Sequence, residues 1–450
     1  MDITVFIVLF STLSIMYLII GLYASKKAST NTEYFLAGRA LGIPEVTFTL
    51  VATQLGGAML LGTAAKAYTI GLYGMFYTLG ISIGFLLLGL GFAAKLQALN
   101  VATTAQLFQT KYGSETLKKI ASLLSIASMV GILIGQVIGS KTLLAGIGAS
   151  NELLFLMLWA FIITYTMVGG LAAVVLTDIA QVIYIFLAFG AIFAYCLWQE
   201  PLSFFTSLGS IQDHFTTESF DLISILPIVI IPALFSLIEQ DLAQRFFAAR
   251  SPRVAATSAL FASACIMIFS CVPLYFGMKL KLAGIILPLE SDPLLASIEY
   301  FTNTTMLAFA ICGILAAITS TADSLLCAIS SNLAQDFDFS GLGLKKGVHL
   351  SKGTTLLTGL VAVGASYIIT KDIIDILIDS YALSVSCLLV PLLFAYFSTN
   401  LKKRAAIFSI VAGLFGFFFF RWFPVPGVPK ELAALALSFV AYIIGNVSKQ

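Results

Sequence analysis

Apolar segments of about 20 residues, with almost no charge inside them, follow one another along the whole chain. A helix needs about 20 such residues to cross the hydrocarbon core of a bilayer. The segments are too long and too continuously apolar for the strands of a membrane barrel, which alternate over about ten residues. The sequence therefore predicts an all-α integral membrane protein, formed as a single transmembrane domain over residues 1–450.

The composition indicates that lipid is the main solvent of the folded chain. Hydrophobic residues make up 59% of the 450 residues, against 24 basic and 22 acidic ones. A soluble surface needs more polar groups than this, so a soluble enzyme, a nucleic-acid binder and a disordered chain are excluded. The net charge of +2 indicates no polyanionic partner. With two His and no CxxC pair among the six Cys, we expect no cofactor and no transition-metal site.

Thirteen segments are long enough to span a bilayer. They lie at about 3–24, 44–64, 72–95, 120–147, 152–168, 172–198, 223–243, 254–278, 304–334, 353–370, 373–397, 404–423 and 432–446. No basic residue precedes the first segment, and Lys26 and Lys27 follow it, which is typical of an uncleaved helix with its N-terminus outside.

The distribution of positive charge supports this topology. With the N-terminus outside and the C-terminus in the cytoplasm, 17 of the 24 Lys and Arg residues fall in inner segments, Arg245 and Arg250 among them. Cytoplasmic loops of membrane proteins carry such an excess. The sequence therefore predicts 13 helices in this orientation.

Four acidic residues are predicted to lie at membrane depth, where a charge is costly and is a functional candidate. They are Asp178, Asp323, Asp375 and Asp379. Asp375 and Asp379 begin the eleventh segment, where a helix N-terminus favours acids. Glu239 and Asp241 end the seventh segment, and we expect them at the interface.

Asp178 and Asp323 lie among other polar residues. Asp178 follows Thr177, and it is interpreted either as a cation ligand or as an interfacial acid paired with an Arg. Asp323 lies in the ninth segment, whose residues 317, 320, 321 and 324 share one helix face. Hydroxyl, carbonyl and carboxylate oxygens suit a small hard cation such as Na⁺. Single hydroxyls could instead bond back to their own helix, but that alternative does not explain Asp323.

The second and seventh segments carry helix breakers. Gln54, Gly56 and Gly57 interrupt the second, and Pro227 and Pro232 interrupt the seventh. The glycines either allow close helix packing or mark an unwound stretch that faces a cavity. Interrupted helices at corresponding positions of two halves indicate a transporter binding site. Their spacing of five segments predicts an inverted repeat of five plus five helices, 44–198 and 223–397, with one helix (3–24) before and two (404–446) after.

Four motifs in the expected order resemble those of the sodium/solute symporter family. Residues 34–39 match its F-L-A-G-R segment, 169–181 its G-G-L-x-A-V-x-x-T-D-x-x-Q block, and 316–324 its A-A-x-x-S-T block. Residues 239–250 resemble its D-Q-x-x-x-Q-R-x-x-A-A segment, with Gln-Asp in place of Asp-Gln. The resemblance covers nearly the whole chain and implies a leucine-transporter type of fold.

The resemblance also implies the ion sites. Its central sodium site would use three backbone carbonyls and two hydroxyls, those of Ala52, Leu55, Ala317, Ser320 and Thr321. A second cation, which some members bind, would lie at Asp178, Ser320, Asp323 and Ser324. Asp323 departs from the family pattern, because members with that second ion carry a hydroxyl there. The residue therefore holds either the ion or a proton.

The solute is expected at mid-membrane beside the broken helix. By position, or by resemblance to related carriers, its residues would be Gln54, Gly56, Gly57, Gln136 and Phe235. Without a Lys or Arg at the middle of these helices, we expect a neutral, zwitterionic or monoanionic solute.

The sequence thus predicts a Na⁺-driven symporter rather than an enzyme. Its partners would be Na⁺, a small solute and the lipid bilayer, with no nucleic acid. We expect it to act as a monomer in the bacterial inner membrane. The alternatives are a proton-coupled carrier on the same fold and an uncoupled channel or sensor.

Overall fold

The computed structural model of the chain describes residues 2–25, 30–148, 151–200, 222–288, 291–343, 347–369 and 373–447. Within these ranges the protein is built from helices, and its β pairing is limited to an isolated parallel bridge between Leu41 and Ala249. The prediction of an all-α membrane protein is confirmed.

The chain up to residue 200 forms nine α-helices. They are α1 (Ile3–Ser25), α2 (Asn31–Leu36), α3 (Ile43–Gln54), α4 (Thr63–Ile70), α5 (Phe76–Leu87), α6 (Ala93–Ala98), α7 (Gln106–Tyr112), α8 (Glu115–Gly146) and α9 (Glu152–Gln199). Short 3₁₀ or π segments join several of them, at Ala37–Arg39, Ala58–Gly62, Gly71–Met75 and Leu88–Phe92.

Eleven more α-helices follow from residue 222 onward. They are α10 (Leu222–Ser236), α11 (Gln240–Ala248), α12 (Pro252–Phe269), α13 (Cys271–Leu282), α14 (Pro293–Phe301), α15 (Thr304–Asp336), α16 (Val348–Ala365), α17 (Ile373–Ser384), α18 (Val390–Phe397), α19 (Lys403–Trp422) and α20 (Lys430–Val447). A 3₁₀ turn at Ser340–Leu342 and a π segment at Val385–Leu389 complete this half.

Helices cover all thirteen predicted segments, but the number thirteen is not confirmed. Ten helical runs of the described chain are long and apolar enough by themselves to cross a bilayer. The predicted segments 152–168 and 172–198 form one run, α9, and the run Ala58–Ala98 takes in the end of the segment 44–64 together with 72–95. α16 is not among the ten runs, because Lys352 and several hydroxyl residues reduce its hydropathy.

Helix α15 lies at the centre of the bundle. It packs against α8, α9, α1 and α16, and most of its side chains are buried. In contrast, α1, α19 and α20 expose many large apolar side chains, as helices at a lipid-facing periphery do. The polar stretch of α15 is therefore held inside protein rather than against lipid.

Gly170 breaks α9 at the boundary predicted between two segments. Its φ is +59° and its ψ is −158°, a conformation essentially restricted to glycine. A Cβ at this position would lie 2.5 Å from the backbone oxygen of Tyr34. Tyr34 in turn donates a hydrogen bond from its hydroxyl to Met167 O at 3.0 Å. The kink at Gly170 therefore allows α2 to pack closely against α9.

The variant Gly170→Ala should lower the melting temperature of the purified protein in detergent. Backbone strain at such a position costs about 1–3 kcal/mol, and the clash with Tyr34 adds to it. Gly190→Ala on the same helix is the matched control, because a Cβ there meets nothing within 4 Å. Equal melting temperatures for the two variants would contradict this account of the kink.

Candidate functional site

The chain unwinds between α3 and the π segment that starts at Ala58, as the breakers of the second predicted segment indicate. α3 ends at Gln54, and Leu55–Gly57 lie between the two helical stretches. A Cβ on Gly56 would lie 2.6 Å from Thr321 Oγ1 and 3.0 Å from Gln136 Oε1. Glycine is therefore needed for the broken stretch to approach α8 and α15 this closely.

Two hydroxyls of α15 contact the end of α3. Ser320 Oγ donates to Ala52 O at 3.0 Å and to Ala317 O at 2.9 Å. Thr321 Oγ1 donates to Thr53 O at 2.9 Å and to Ala317 O at 3.2 Å. Each hydroxyl has one proton, so it forms a three-centre hydrogen bond that joins a carbonyl of its own helix to one of α3.

Four of the five residues predicted for the central ion site are therefore brought together. Ala52, Ala317, Ser320 and Thr321 share these contacts, and Leu55 lies three residues after Ala52 as the C-cap of α3. All but Thr321, which is 6% exposed, are completely buried. The result is a cluster of neutral oxygens in the protein interior.

Arg245 lies beside this cluster, on α11, and is completely buried. Its Nε donates to Thr49 Oγ1 at 3.2 Å and its Nη1 to Asp241 O at 2.6 Å. Its Nη2 donates to Ser324 Oγ and lies 3.8 Å from Asp178 Oδ2. Placing Arg245 in an inner loop was wrong, because charge balance with Asp178 holds it inside the bundle.

The two acids predicted to share a second cation have different partners. Asp178 Oδ2 accepts a hydrogen bond from Thr49 Oγ1 at 2.5 Å and faces Arg245. Asp323 Oδ2 accepts one from the hydroxyl of Tyr165 at 2.6 Å. In the described part of the chain the second oxygen of each carboxyl has no hydrogen-bond partner. Each acid therefore keeps one oxygen available for a cation or a proton.

A small central cavity of about 10 Å³, room for about one water molecule, adjoins the broken stretch. It is lined by Thr53, Gln54, Gly56, Ala58, Met59, Tyr77, Ile132, Gln136, Glu239, Asp241, Thr321, Leu325, Leu377 and Tyr381. Three residues predicted for the solute, Gln54, Gly56 and Gln136, are in this lining. The other two lie behind it.

These two residues contact the lining directly. The amide N of Gly57 donates to Gln136 Oε1 at 3.1 Å. The ring of Phe235 stacks on that of Tyr381, with centroids 4.4 Å apart. Phe235 therefore contributes to the cavity through Tyr381 and is buried in protein.

Among the lining residues that sequence reasoning missed are two acids and two tyrosines. Glu239 and Asp241 were expected at the interface, but they are 6% and 0% exposed and line the cavity. That expectation was wrong because the chain turns between α10 and α11 inside the bundle. The signal was the pair of acids directly after a Pro-interrupted apolar segment. Tyr77 and Tyr381 gave no signal among the many aromatic residues of the chain.

A second, larger cavity of about 360 Å³ lies further along the same helices. Lys66, Asp292 and Asp375 contribute charge to its lining. Burial raises the pKa of Asp292 to about 6, so the charge of this cavity changes near that pH. Lys141 lies elsewhere, 3.3 Å from the ring centroid of Tyr367.

Polar contacts join the elements at the opposite end of the bundle. Gln240 Oε1 accepts from Thr104 N at 2.6 Å, and Gln240 Nε2 donates to Ala102 O at 3.2 Å. Thr103 Oγ1 donates to Asp336 Oδ1 at 2.8 Å. The segment 102–104 is thereby fixed to α11 and to the end of α15.

The model of the sodium:solute symporter family matches residues 34–413. The chain belongs to this family. The match includes α3, α9, α11 and α15, which carry the cluster described above.

Individual relatives match shorter stretches. The chain is 27% identical over 206 residues to the osmoregulated proline transporter OpuE of Bacillus subtilis, covering 44% of this chain and 40% of that protein. It is 31% identical over 170 residues to the sodium/pantothenate symporter of Escherichia coli, covering 36% and 35%. The match thus spans well under half the length of either relative.

A solved structure supports the fold over the whole chain. A Na⁺-coupled sialic acid symporter in a substrate-bound outward-open state superposes with a TM-score of 0.78. The superposition covers 98% of this chain and 96% of that one, at 16% sequence identity. The chain therefore shares the fold of that structure.

The variant Arg245→Met should lower the melting temperature in detergent strongly. Removing one partner of a buried ion pair costs about 3–5 kcal/mol, because Asp178 is left uncompensated. The double variant Arg245→Met with Asp178→Asn should recover part of the loss. Arg250→Met, at an exposed position, is the control and should change stability by about 0.5 kcal/mol or less. No recovery in the double variant would argue against the pairing.

Proposed function

We propose that the protein is a Na⁺-coupled symporter that imports a small polar solute by alternating access. The observation that carries the proposal is the contact between the unwound end of α3 and the hydroxyl face of α15, deep inside the bundle. Broken helices of transporters bind coupling ions with such freed carbonyls. Membership of the sodium:solute symporter family supports this reading.

The coupling ion would bind at the central cluster. Its ligands would be the carbonyls of Ala52, Leu55 and Ala317 with the hydroxyls of Ser320 and Thr321. Neutral hard oxygens suit Na⁺ and do not suit transition metals. The two hydroxyls now donate to carbonyls of α3, and they would turn their lone pairs to the ion when it binds.

A second cation at Asp178, Ser320, Asp323 and Ser324 stays a prediction. The guanidinium of Arg245 already contacts Ser324 and faces Asp178. A second Na⁺ at this place would have to share these ligands with the guanidinium of Arg245 or displace it. The central site is therefore our principal candidate for the coupling ion.

The solute would occupy the central cavity, which would have to widen from about 10 Å³ to admit it. Gln54, Gly56 and Gln136 line it, and Gly57 and Phe235 support the lining. Its access would be from the second, larger cavity, which we place on the outer side, because the contacts of Gln240 and Asp336 tie the other end together. Alternating access would break those contacts and close the outer cavity.

A proton-coupled carrier is the second candidate, favoured by the unpaired Oδ1 of the buried Asp323. The purified protein in liposomes separates the two with a panel of labelled solutes, including proline, pantothenate, choline and glucose. An inward Na⁺ gradient should drive concentrative uptake of at least one solute. Uptake driven by a proton gradient without Na⁺ would favour the second candidate, and equilibration without accumulation would indicate a channel.

Ser320→Ala and Thr321→Ala should each raise the Na⁺ concentration that gives half-maximal uptake. Each variant removes one neutral oxygen ligand from a dry site, a loss of about 1–3 kcal/mol. Ser330→Ala is the matched control, since this buried hydroxyl of the same helix bonds only to Cys327 O among the described contacts. If both variants kept the wild-type Na⁺ dependence, the central site would be wrongly assigned.

Asp178→Asn should lower the Hill coefficient for Na⁺ or abolish transport, if its free oxygen binds a second cation. The amide cannot balance a cation's charge, and it leaves Arg245 without its carboxylate. Uptake measured against Na⁺ concentration tests this. A wild-type Hill coefficient near one that the variant does not change would exclude the second cation.

A further inference from the structure

Two carboxyl groups of the central cavity have no role in the ion sites. Glu239 and Asp241 flank the start of α11, where Glu239 is the N-cap residue. Both line the cavity and both are more than nine-tenths buried. A buried carboxylate without a counter-charge is costly, so a cationic partner is expected at this place.

The protein itself supplies few donors to this pair. Gln54 Nε2 donates to Glu239 Oε2 at 3.4 Å, near the limit of a hydrogen bond. Asp241 Oδ1 accepts from Leu242 N at 2.8 Å, and its Oδ2 has no donor in the described part of the chain. Two buried carboxyls that line one cavity require a shared proton or a cation between or beside them.

Arg245 does not fill this role. Its Nη1 donates to the backbone oxygen of Asp241, and its Nη2 is directed to Ser324 and Asp178. Within the described chain, neither Glu239 nor Asp241 forms an ion pair with a basic side chain. Neutralising both carboxyls therefore requires a bound cation or a shared proton.

Aromatic rings form another part of the cavity wall. The hydroxyls of Tyr77 and Tyr381 lie 2.9 Å apart, and Phe235 stacks on Tyr381 at an interplanar angle of 16°. The faces of such rings attract organic cations. A bare metal ion instead needs oxygen ligands, which ring faces do not supply. Carboxyls and aromatic rings around one cavity are a combination that suits an ammonium group.

We propose that the solute carries a positively charged nitrogen, which Glu239 and Asp241 bind beside the rings of Tyr77 and Tyr381. The solute is then a cationic or zwitterionic amine, and solutes without such a nitrogen are excluded. The inference rests on the proposed function, since it assumes that the central cavity holds the transported solute. It narrows the range predicted from the sequence by removing neutral and purely anionic solutes.

The first test uses the wild-type protein and matched solutes. Purified protein in lipid nanodiscs with Na⁺ is incubated with a defined mixture that contains amines and their nitrogen-free counterparts. Choline is paired with dimethylbutanol, its neutral carbon isostere, and proline with cyclopentanecarboxylate; other amino acids, pantothenate and glucose complete the mixture. Retained solutes are identified by mass spectrometry, and each is checked by its effect on the melting temperature.

We expect at least one amine to be retained and its counterpart to be lost. Retention of a nitrogen-free counterpart, of pantothenate or of glucose in preference to amines overturns the proposal. Retention of no amine at millimolar concentrations overturns it as well. A carboxyl pair that holds only a shared proton would give one of these results.

The second test changes the carboxyls. Glu239→Gln and Asp241→Asn should each weaken binding of the retained amine by about 30-fold or more, the effect of truncating one partner of a buried charge pair. Glu239→Asp keeps the charge and should keep the preference for the amine over its isostere. Glu115→Gln, an exposed acid on α8, is the control for removal of one negative charge. A purely structural role would reduce the melting temperature without changing the ratio of amine to isostere affinity.

The outcomes separate this inference from the proposed function. If both variants keep wild-type amine affinity, the inference is wrong while Na⁺-driven uptake stands. If no solute of the panel shows Na⁺-dependent uptake in liposomes, the proposed Na⁺-coupled symport itself is contradicted. Na⁺ alone should still raise the melting temperature of Glu239→Gln, because the central ion site does not include this residue.

Discussion

In a bilayer, a backbone carbonyl or amide without a partner costs several kcal/mol, and the break after α3 exposes such groups in the middle of the protein. The structure tolerates the break because three side chains form hydrogen bonds with its backbone groups. Ser320 and Thr321 donate to carbonyls at the end of α3, and Gln136 accepts from the amide of Gly57. The position of α15 at the centre of the bundle follows from this requirement.

Burial of charge is the second constraint on the site. Asp178, Glu239, Asp241 and Asp323 are all buried, and Arg245 is the basic residue that contacts this region. Arg245 compensates Asp178, and Tyr165 stabilises Asp323 through a hydrogen bond. Glu239 and Asp241 keep a demand for positive charge in the cavity.

The sequence predicted the helices well because lipid imposes a simple rule on apolar length. It located the break at Gly56 and Gly57 and the kink beside Gly170 from glycine pairs alone. It also grouped residues 317, 320, 321 and 324 on one face, since helical periodicity is local. Apolar length alone does not set the number of separate spans, because Gly170 bends one continuous run without a loop.

The sequence by itself determined that the chain is an all-helical membrane protein with an interrupted helix and a polar face on the ninth segment. Only the tertiary structure decided which polar groups meet. Glu239, Asp241 and Arg245 belong to a short segment that resembles an interfacial loop in sequence, and packing turns it into the bundle. Hydropathy measures the cost of placing a residue in lipid. Hydropathy contains no information about hydrogen-bond partners more than a hundred residues away in the chain. Ser324 is such a partner for Thr53, and Asp178 is one for Thr49.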